Sequence, residues 1–141
     1  MRTAYRIIQQ TMKFLKYEFT PTQWATAKAK IETTGTDPEG ETYTTWNSEL
    51  VTAVVELGYL CTEWGTDEEG NQVCLKTSPK YAVDILWTGE PLATSFASYV
   101  VWPAPCGVHI IAGWEQAYAE EYCKANPEAA YCQPPVPPVE Q

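Results

Sequence analysis

The sequence predicts an α+β domain in which N-terminal helices pack on a small mixed or antiparallel sheet, followed by a C-terminal helix and a Pro-rich tail. Three observations carry that expectation. Apolar residues recur at helical spacing near the N-terminus, β-branched and aromatic residues alternate through the middle, and loops dense in Gly, Asp and Pro separate these runs. With 141 residues, 45% of them hydrophobic, the chain can bury one core without help from disulfides or metal. Residues 1–126 are read as a single domain with a basic helical arm over 1–31, and residues 127–141 as an extended tail.

From Tyr5, the residues Ile8, Met12, Leu15 and Phe19 recur at helical spacing, with Arg6, Gln9, Lys13 and Lys16 largely on the other side, which predicts an amphipathic helix. Thr20, Pro21 and Gln23 supply an N-cap, a first-turn proline and the third residue of a capping box, so a second helix should start there and end before Thr33. Its closing Lys28 and Lys30 suit the helix dipole. Two similar loops follow, Gly35-Thr36-Asp37-Pro38-Glu39-Gly40 and Gly65-Thr66-Asp67-Glu68-Glu69-Gly70, and each reads as a hairpin tip. A four-residue loop over 66–69 would set Cys61 directly opposite Cys74 on strands 59–65 and 71–76. Between the loops, Asn47 or Ser48 can cap a helix with Leu50, Val51, Val54, Val55 and Leu57 on its apolar face and Gly58 at its end.

Tyr81, Val83, Ile85 and Trp87 alternate with Ala82, Asp84 and Leu86 in the period of a strand. Two further β-rich runs are expected at 98–102, halted by Pro103 and Pro105, and at 108–111, before Gly113. A last helix should run from Trp114 to the stop at Asn126-Pro127. After Cys132, the run Gln133-Pro134-Pro135-Val136-Pro137-Pro138-Val139 has polyproline II character, and its Pro-x-x-Pro spacings lack a flanking cation.

The net charge of -9 is distributed unevenly. Residues 1–31 carry Arg2, Arg6, Lys13, Lys16, Lys28 and Lys30 against Glu18 alone, a net +5, while residues 32–141 carry three cations against seventeen acids, a net -14. A basic arm on an acidic body could dock on its own body, a neighbouring copy, an acidic partner or nucleic acid, with head-to-tail self-association the option that uses both halves, against the plainer view that these are solvated helix faces. Five cysteines in no Cys-x-x-Cys spacing give no zinc motif. Met1–Phe19 lacks an uninterrupted apolar run and a cleavage site, so export by a signal peptide is not expected and the thiols are expected to be reduced. In an oxidising compartment two pairings remain open, Cys61 with Cys74 and Cys123 with Cys132. No apolar run approaches the roughly 20 residues of a membrane-spanning helix.

Catalytic candidates are few. Cys106 and the sole histidine, His109, are neighbours, and Asp84 could orient an imidazole, but on an extended segment an offset of three turns the two side chains to opposite faces. The carboxylates of the two Asp-x-Glu-Gly loops suggest calcium, yet neither loop has the length or ligand count of an EF-hand. A winged-helix reading fails on charge, since the reading helix would present Asn47, Ser48, Glu49, Thr52 and Glu56 without a cation. No catalytic, cofactor or metal residues are assigned, and neither membrane nor nucleic acid is expected as a partner.

The segments Thr34-Gly35-Thr36-Asp37-Pro38-Glu39-Gly40, Lys80-Tyr81-Ala82-Val83-Asp84-Ile85-Leu86-Trp87 and Pro105-Cys106-Gly107-Val108-His109 together resemble small virion or accessory proteins of tailed bacteriophages and prophages. The resemblance implies a virion or cytoplasmic location in a bacterial cell and a role exerted through protein contacts. The expected function is that of a non-enzymatic structural or assembly protein, in a homo-oligomer or against neighbouring assembly proteins. Its interaction residues would be Arg2, Arg6, Lys13, Lys16, Lys28, Lys30 and the prolines Pro134, Pro135, Pro137 and Pro138. The alternative is a small acidic inhibitor that covers a basic host protein with the acids between Asp37 and Glu69, and a third reading is a Cys106/His109 enzyme.

Overall fold

A computed structural model describes residues 12–134, and its central strand is β1, Lys13–Phe19. Phe14, Leu15, Tyr17 and Phe19 are all buried, so both faces of the strand are covered, and a strand covered on both faces loses the polar alternation that would mark it as a strand in sequence. The expected helix from Tyr5 to Phe19 is thereby overturned in its second half, and its first half lies outside the described residues. Lys16, assigned to a polar helix face, is instead 5% exposed opposite Asp84, which is 1% exposed.

Helix α1, Pro21–Ile31, is the helix the sequence predicts. The Thr20 side chain accepts from the Gln23 backbone N–H at 3.3 Å, and the Gln23 side chain accepts from the Thr20 N–H at 2.8 Å, completing the capping box. Trp24, Ala27 and Ile31 form its buried stripe. Trp24 lies against Phe19, with ring centroids 5.2 Å apart, which seats the helix on the sheet.

Strands β2, Glu32–Thr36, and β3, Thr42–Trp46, form a separate antiparallel hairpin. Strands β4, Val51–Thr66, and β5, Gln72–Trp87, are each 16 residues long and form the dominant hairpin. The helix expected at Leu50–Leu57 is therefore a strand. Asn47 does cap, but it caps a turn: its side chain accepts from the Glu49 N–H at 3.0 Å, and the Leu50 and Val51 N–H groups both donate to its carbonyl at 2.9 Å. The β-branched run from Val51 onward then pairs with β5, and Gly58, expected to end a helix, sits at φ +81° beside an irregularity in β4.

The large sheet has the order β4-β5-β1-β6, with β6 reduced to Val100–Val101, and every pairing in it is antiparallel. Helix α2, Ala93–Phe96, delivers Phe96, whose ring meets Tyr17, Phe19 and Trp87 edge-on at 5.5, 5.9 and 5.0 Å. Trp87 Nε1 donates to the Tyr17 hydroxyl at 2.8 Å, and burial pushes the Tyr17 pKa well above the usual tyrosine range against the lowering effect of that bond. The architecture is thus mostly antiparallel sheet, which replaces the expected set of N-terminal helices packed on a small sheet.

The described chain forms two compact units, divided between Val101 and Trp102. In the second, helix α3, Glu115–Ala125, buries Tyr118 and Tyr122, as the sequence predicts for a last helix stopped at Asn126-Pro127. Trp102 stacks on Tyr118 at 5.9 Å, Tyr131 meets Tyr122 edge-on at 5.9 Å, and the Tyr118 hydroxyl donates to the Pro103 carbonyl at 2.8 Å. The strand expected at 108–111 is absent: that stretch is irregular chain between Gly107 and Gly113, both at positive φ.

Candidate functional site

Strand β1 pairs with β5 over Tyr81–Trp87 and no further. Among the described residues, 60–66 of β4 and 72–80 of β5 therefore pair only with each other, and at about 3.3 Å per residue of the shorter β4 side they form a two-stranded arm extending about 23 Å past the last β1 pair. Its tip is built by local chemistry. One Asp67 carboxylate oxygen accepts from the N–H groups of Glu69 and Asn71, both at 2.9 Å, the Gly70 N–H donates to the Asp67 carbonyl at 3.1 Å, and Gly70 takes φ +86°. The backbone N–H of Asn71 first, with the other turn amides, holds the Asp67 carboxyl below its usual value against the opposing effect of desolvation.

The β2–β3 hairpin repeats this turn. An Asp37 oxygen accepts from Glu39 and Glu41 N–H at 3.0 and 2.9 Å, the Gly40 N–H donates to the Asp37 carbonyl at 3.0 Å, and Gly40 sits at φ +87°. Each leading aspartate is thus engaged by its own turn, which argues against a calcium role for it, and among the described residues no group of three or more His, Cys, Asp or Glu is placed to hold a metal.

The arm is stapled by a Cys61–Cys74 disulfide with a Cα separation of 5.9 Å. The pairing is the one singled out by sequence spacing, but the register is not: Trp64 faces Cys74 and Cys61 faces Thr77, because the tip spans more residues than expected and irregularities interrupt β4. A second disulfide joins Cys123 to Cys132, which leaves Cys106 as an exposed thiol. The thiols expected to be reduced are thus bonded in both pairs.

Trp64 is 59% exposed and Leu75 58% exposed, and Tyr59 and Leu60 are also open to solvent. Trp64 shares a face with its cross-strand partner Cys74, whereas Leu75, the next residue along, lies over Gly65 on the opposite face, where an added Cβ would come within 2.5 Å of Leu75 Cδ1. Both faces of the arm therefore carry a large exposed apolar side chain. On the shorter hairpin, Tyr43, 51% exposed, lies over Gly35 in the same way. At the root of the arm, a Glu56 carboxylate oxygen accepts from Trp24 Nε1 at 2.9 Å and from the Tyr81 hydroxyl at 3.1 Å, and Tyr59 meets Tyr81 edge-on at 5.3 Å. Burial first, then the Glu56 carboxylate, raises the Tyr81 pKa.

The residues proposed for interaction from sequence are dispersed. Lys16 is buried, donating to both oxygens of Asp84 at 2.9 and 3.0 Å. Lys13 begins β1. Lys28 lies 5.7 Å from the Trp46 ring centre, and Lys30 lines a depression of about 170 Å³ with Thr22, Gln23, Thr26, Ser95 and Tyr99. Pro134 is exposed at the end of the described chain, while Arg2, Arg6, Pro135, Pro137 and Pro138 lie outside it. Cys106 and His109 occupy the irregular stretch of the second unit, both exposed.

Sequence reasoning missed the arm as a surface. Its one readable signal was Trp64 and Leu75 flanking an acidic turn with neither belonging to a buried period-two face. Comparison with protein-family models, curated proteins and solved structures gives no match for this chain. Among the described residues no helix is long and apolar enough to cross a membrane.

Proposed function

We propose that this protein is a non-enzymatic structural or assembly component that works through protein–protein contacts, with the stapled β4–β5 arm as its principal contact element. One observation carries the reading: two strands leave the sheet, lose their third neighbour, and present Trp64 and Leu75 to solvent on opposite faces. Exposed aromatic and aliphatic chains on a projecting element are characteristic of surfaces that become buried in a complex. An isolated hairpin is marginal in water, so a disulfide across a part of the molecule with no core is consistent with a need to keep that surface in one shape. The resemblance to small proteins of tailed bacteriophages adds the virion as the setting for such a role.

The test places a photo-crosslinking phenylalanine analogue at position 64 or 75 of the full chain in producing cells, with position 52, exposed on β4 near the sheet, as the control. The expected result is a discrete protein adduct from 64 and 75 and none from 52. Equal, diffuse labelling from all three positions would remove the arm from the account.

A further inference from the structure

We propose that the arm docks in an apolar groove of another protein whose rim is lysine- or arginine-rich, with the groove walls closing on Trp64 and Leu75 and the rim meeting Asp67, Glu68 and Glu69. This rests on the reading of the arm as a contact element and names the chemistry of what it contacts.

The apolar half of the argument is geometric. Trp64 and Leu75 point to opposite faces, so a flat partner could cover one of them and would leave the other wet. A groove that takes the arm between its walls covers both. Gly65 lets Leu75 lie close against the strand, and the staple holds the backbone of the face that carries Trp64, so the backbone under both anchors is fixed before binding and less entropy is lost on docking.

The polar half is charge. The tip carries three consecutive acids, and the nearby Lys76 is already 3.5 Å from Glu63, so the end of the arm presents uncompensated negative charge beside its apolar anchors. The β2–β3 hairpin has the same composition: Asp37, Glu39 and Glu41 around its turn, and Tyr43 laid over a strand glycine. Two projections built alike ask for the same complement. A second copy of this chain is a poorer one, since each copy carries -9 overall and, within its net +5 segment 1–31, Lys16 and Lys28 are already engaged with Asp84 and the Trp46 ring. Anionic nucleic acid or lipid would be repelled. A cationic protein groove satisfies both halves, and charge of this kind speeds encounter and selects partners.

The probes are two short synthetic peptides with an identical leucine face, one carrying lysine and the other glutamate at the remaining positions, titrated by calorimetry against the full-length oxidised protein. The lysine peptide should bind at least about tenfold more tightly than the glutamate peptide, and its affinity should fall with salt. The variant Trp64→Ser/Leu75→Ser, altered at exposed positions and checked for an unchanged melting curve, should lose about tenfold or more of that affinity. Glu68→Lys/Glu69→Lys, which spares the turn-forming Asp67, should lose the preference for lysine.

Equal binding of the two peptides, or full binding of the lysine peptide by Trp64→Ser/Leu75→Ser, would overturn the inference. So would a doubling of solution mass by light scattering that Trp64→Ser/Leu75→Ser abolishes, since the arm would then be occupied by a second copy. That last outcome leaves the arm a contact element. Failure of the broader reading would appear separately, as the absence of discrete adducts from positions 64 and 75.

Discussion

Removing the Cys61–Cys74 staple should open the arm without unfolding the sheet. The perturbation is Cys61→Ser/Cys74→Ser, which leaves the Cys123–Cys132 disulfide in place. The bridged cysteines are 13 residues apart, and closing a loop of that length lowers the entropy of the open chain by the equivalent of about 3 kcal/mol. Little apolar burial compensates, because Leu60, Trp64 and Leu75 are exposed and, among the described residues, 72–80 have no strand beside them other than β4. A loss of about 3 kcal/mol confined to the arm raises its open population about a hundredfold. Amide hydrogen exchange followed by mass spectrometry reads this directly. Peptides covering residues 60–78 should exchange about a hundredfold faster in the serine variant, while those covering Lys13–Phe19 keep their protection. If the core peptides lost protection in step with the arm, the arm would be part of the cooperative core and the reasoning would be wrong. If the arm kept its protection, backbone pairing alone would suffice and the staple would have no structural role.

Other consequences follow from single residues. Asp84→Ala removes the carboxylate that the buried Lys16 meets at 2.9 and 3.0 Å and should destabilise the protein by about 3–5 kcal/mol in chemical denaturation, and a loss under about 1 kcal/mol would show that other groups around Lys16 carry its charge. Gly70→Ala forces a side chain into φ +86° and should cost about 1–2 kcal/mol, read as faster exchange at the arm tip, although space is open around the new Cβ. The Asp67 carboxyl sits below its ordinary value of 3.8, so its contribution to the turn is complete above that value and is lost as pH falls through the lowered folded value. The Glu69 and Asn71 amide resonances should therefore move together on acidification, with a midpoint below 3.8, and a midpoint at or above it would contradict the hydrogen-bonding account.

What could be read from sequence was what local chemistry decides. Helix α1 was legible because Thr20, Pro21 and Gln23 specify its start within four residues, and both turns were legible because Asp37 and Asp67 bond backbone groups two and four residues ahead. Strand β4 was not. Leu50, Val51, Val54 and Leu57 satisfy helical spacing as well as strand composition, and the decision falls to pairing with β5, whose residues such as Trp87 lie far along the chain from Val51. Strand β1 misled in a similar way, since a strand covered on both faces has no polar alternation and Lys16 looked like a solvent position until Asp84 was placed beside it. The exposure of Trp64 and Leu75 was only partly legible: it depends on where β1 stops pairing, at Tyr81, and Pro79, which cannot donate to a third strand, marks the end of the three-stranded stretch without saying which strand would have paired there.

The two disulfides occupy the places where burial alone would hold structure least well. In the sheet, Phe14, Tyr17, Phe19, Val83, Ile85 and Trp87 form an aromatic and aliphatic core that contains no cysteine. Past Tyr81 that core ends, and the staple takes over a few residues further along the arm. In the second unit, α3 is 11 residues long, shorter than a helix that holds by itself in water, and its support comes from a few rings on Tyr118 and Tyr122. There the disulfide ties Cys123 in the last turns of the helix to Cys132, beside Tyr131, and keeps that ring against Tyr122. Oxidation state should therefore govern the arm and the second unit far more than the sheet. The protein's contact surface would then depend on its thiols even where its overall stability does not, because the segments that carry exposed apolar groups are those that burial cannot fix in place.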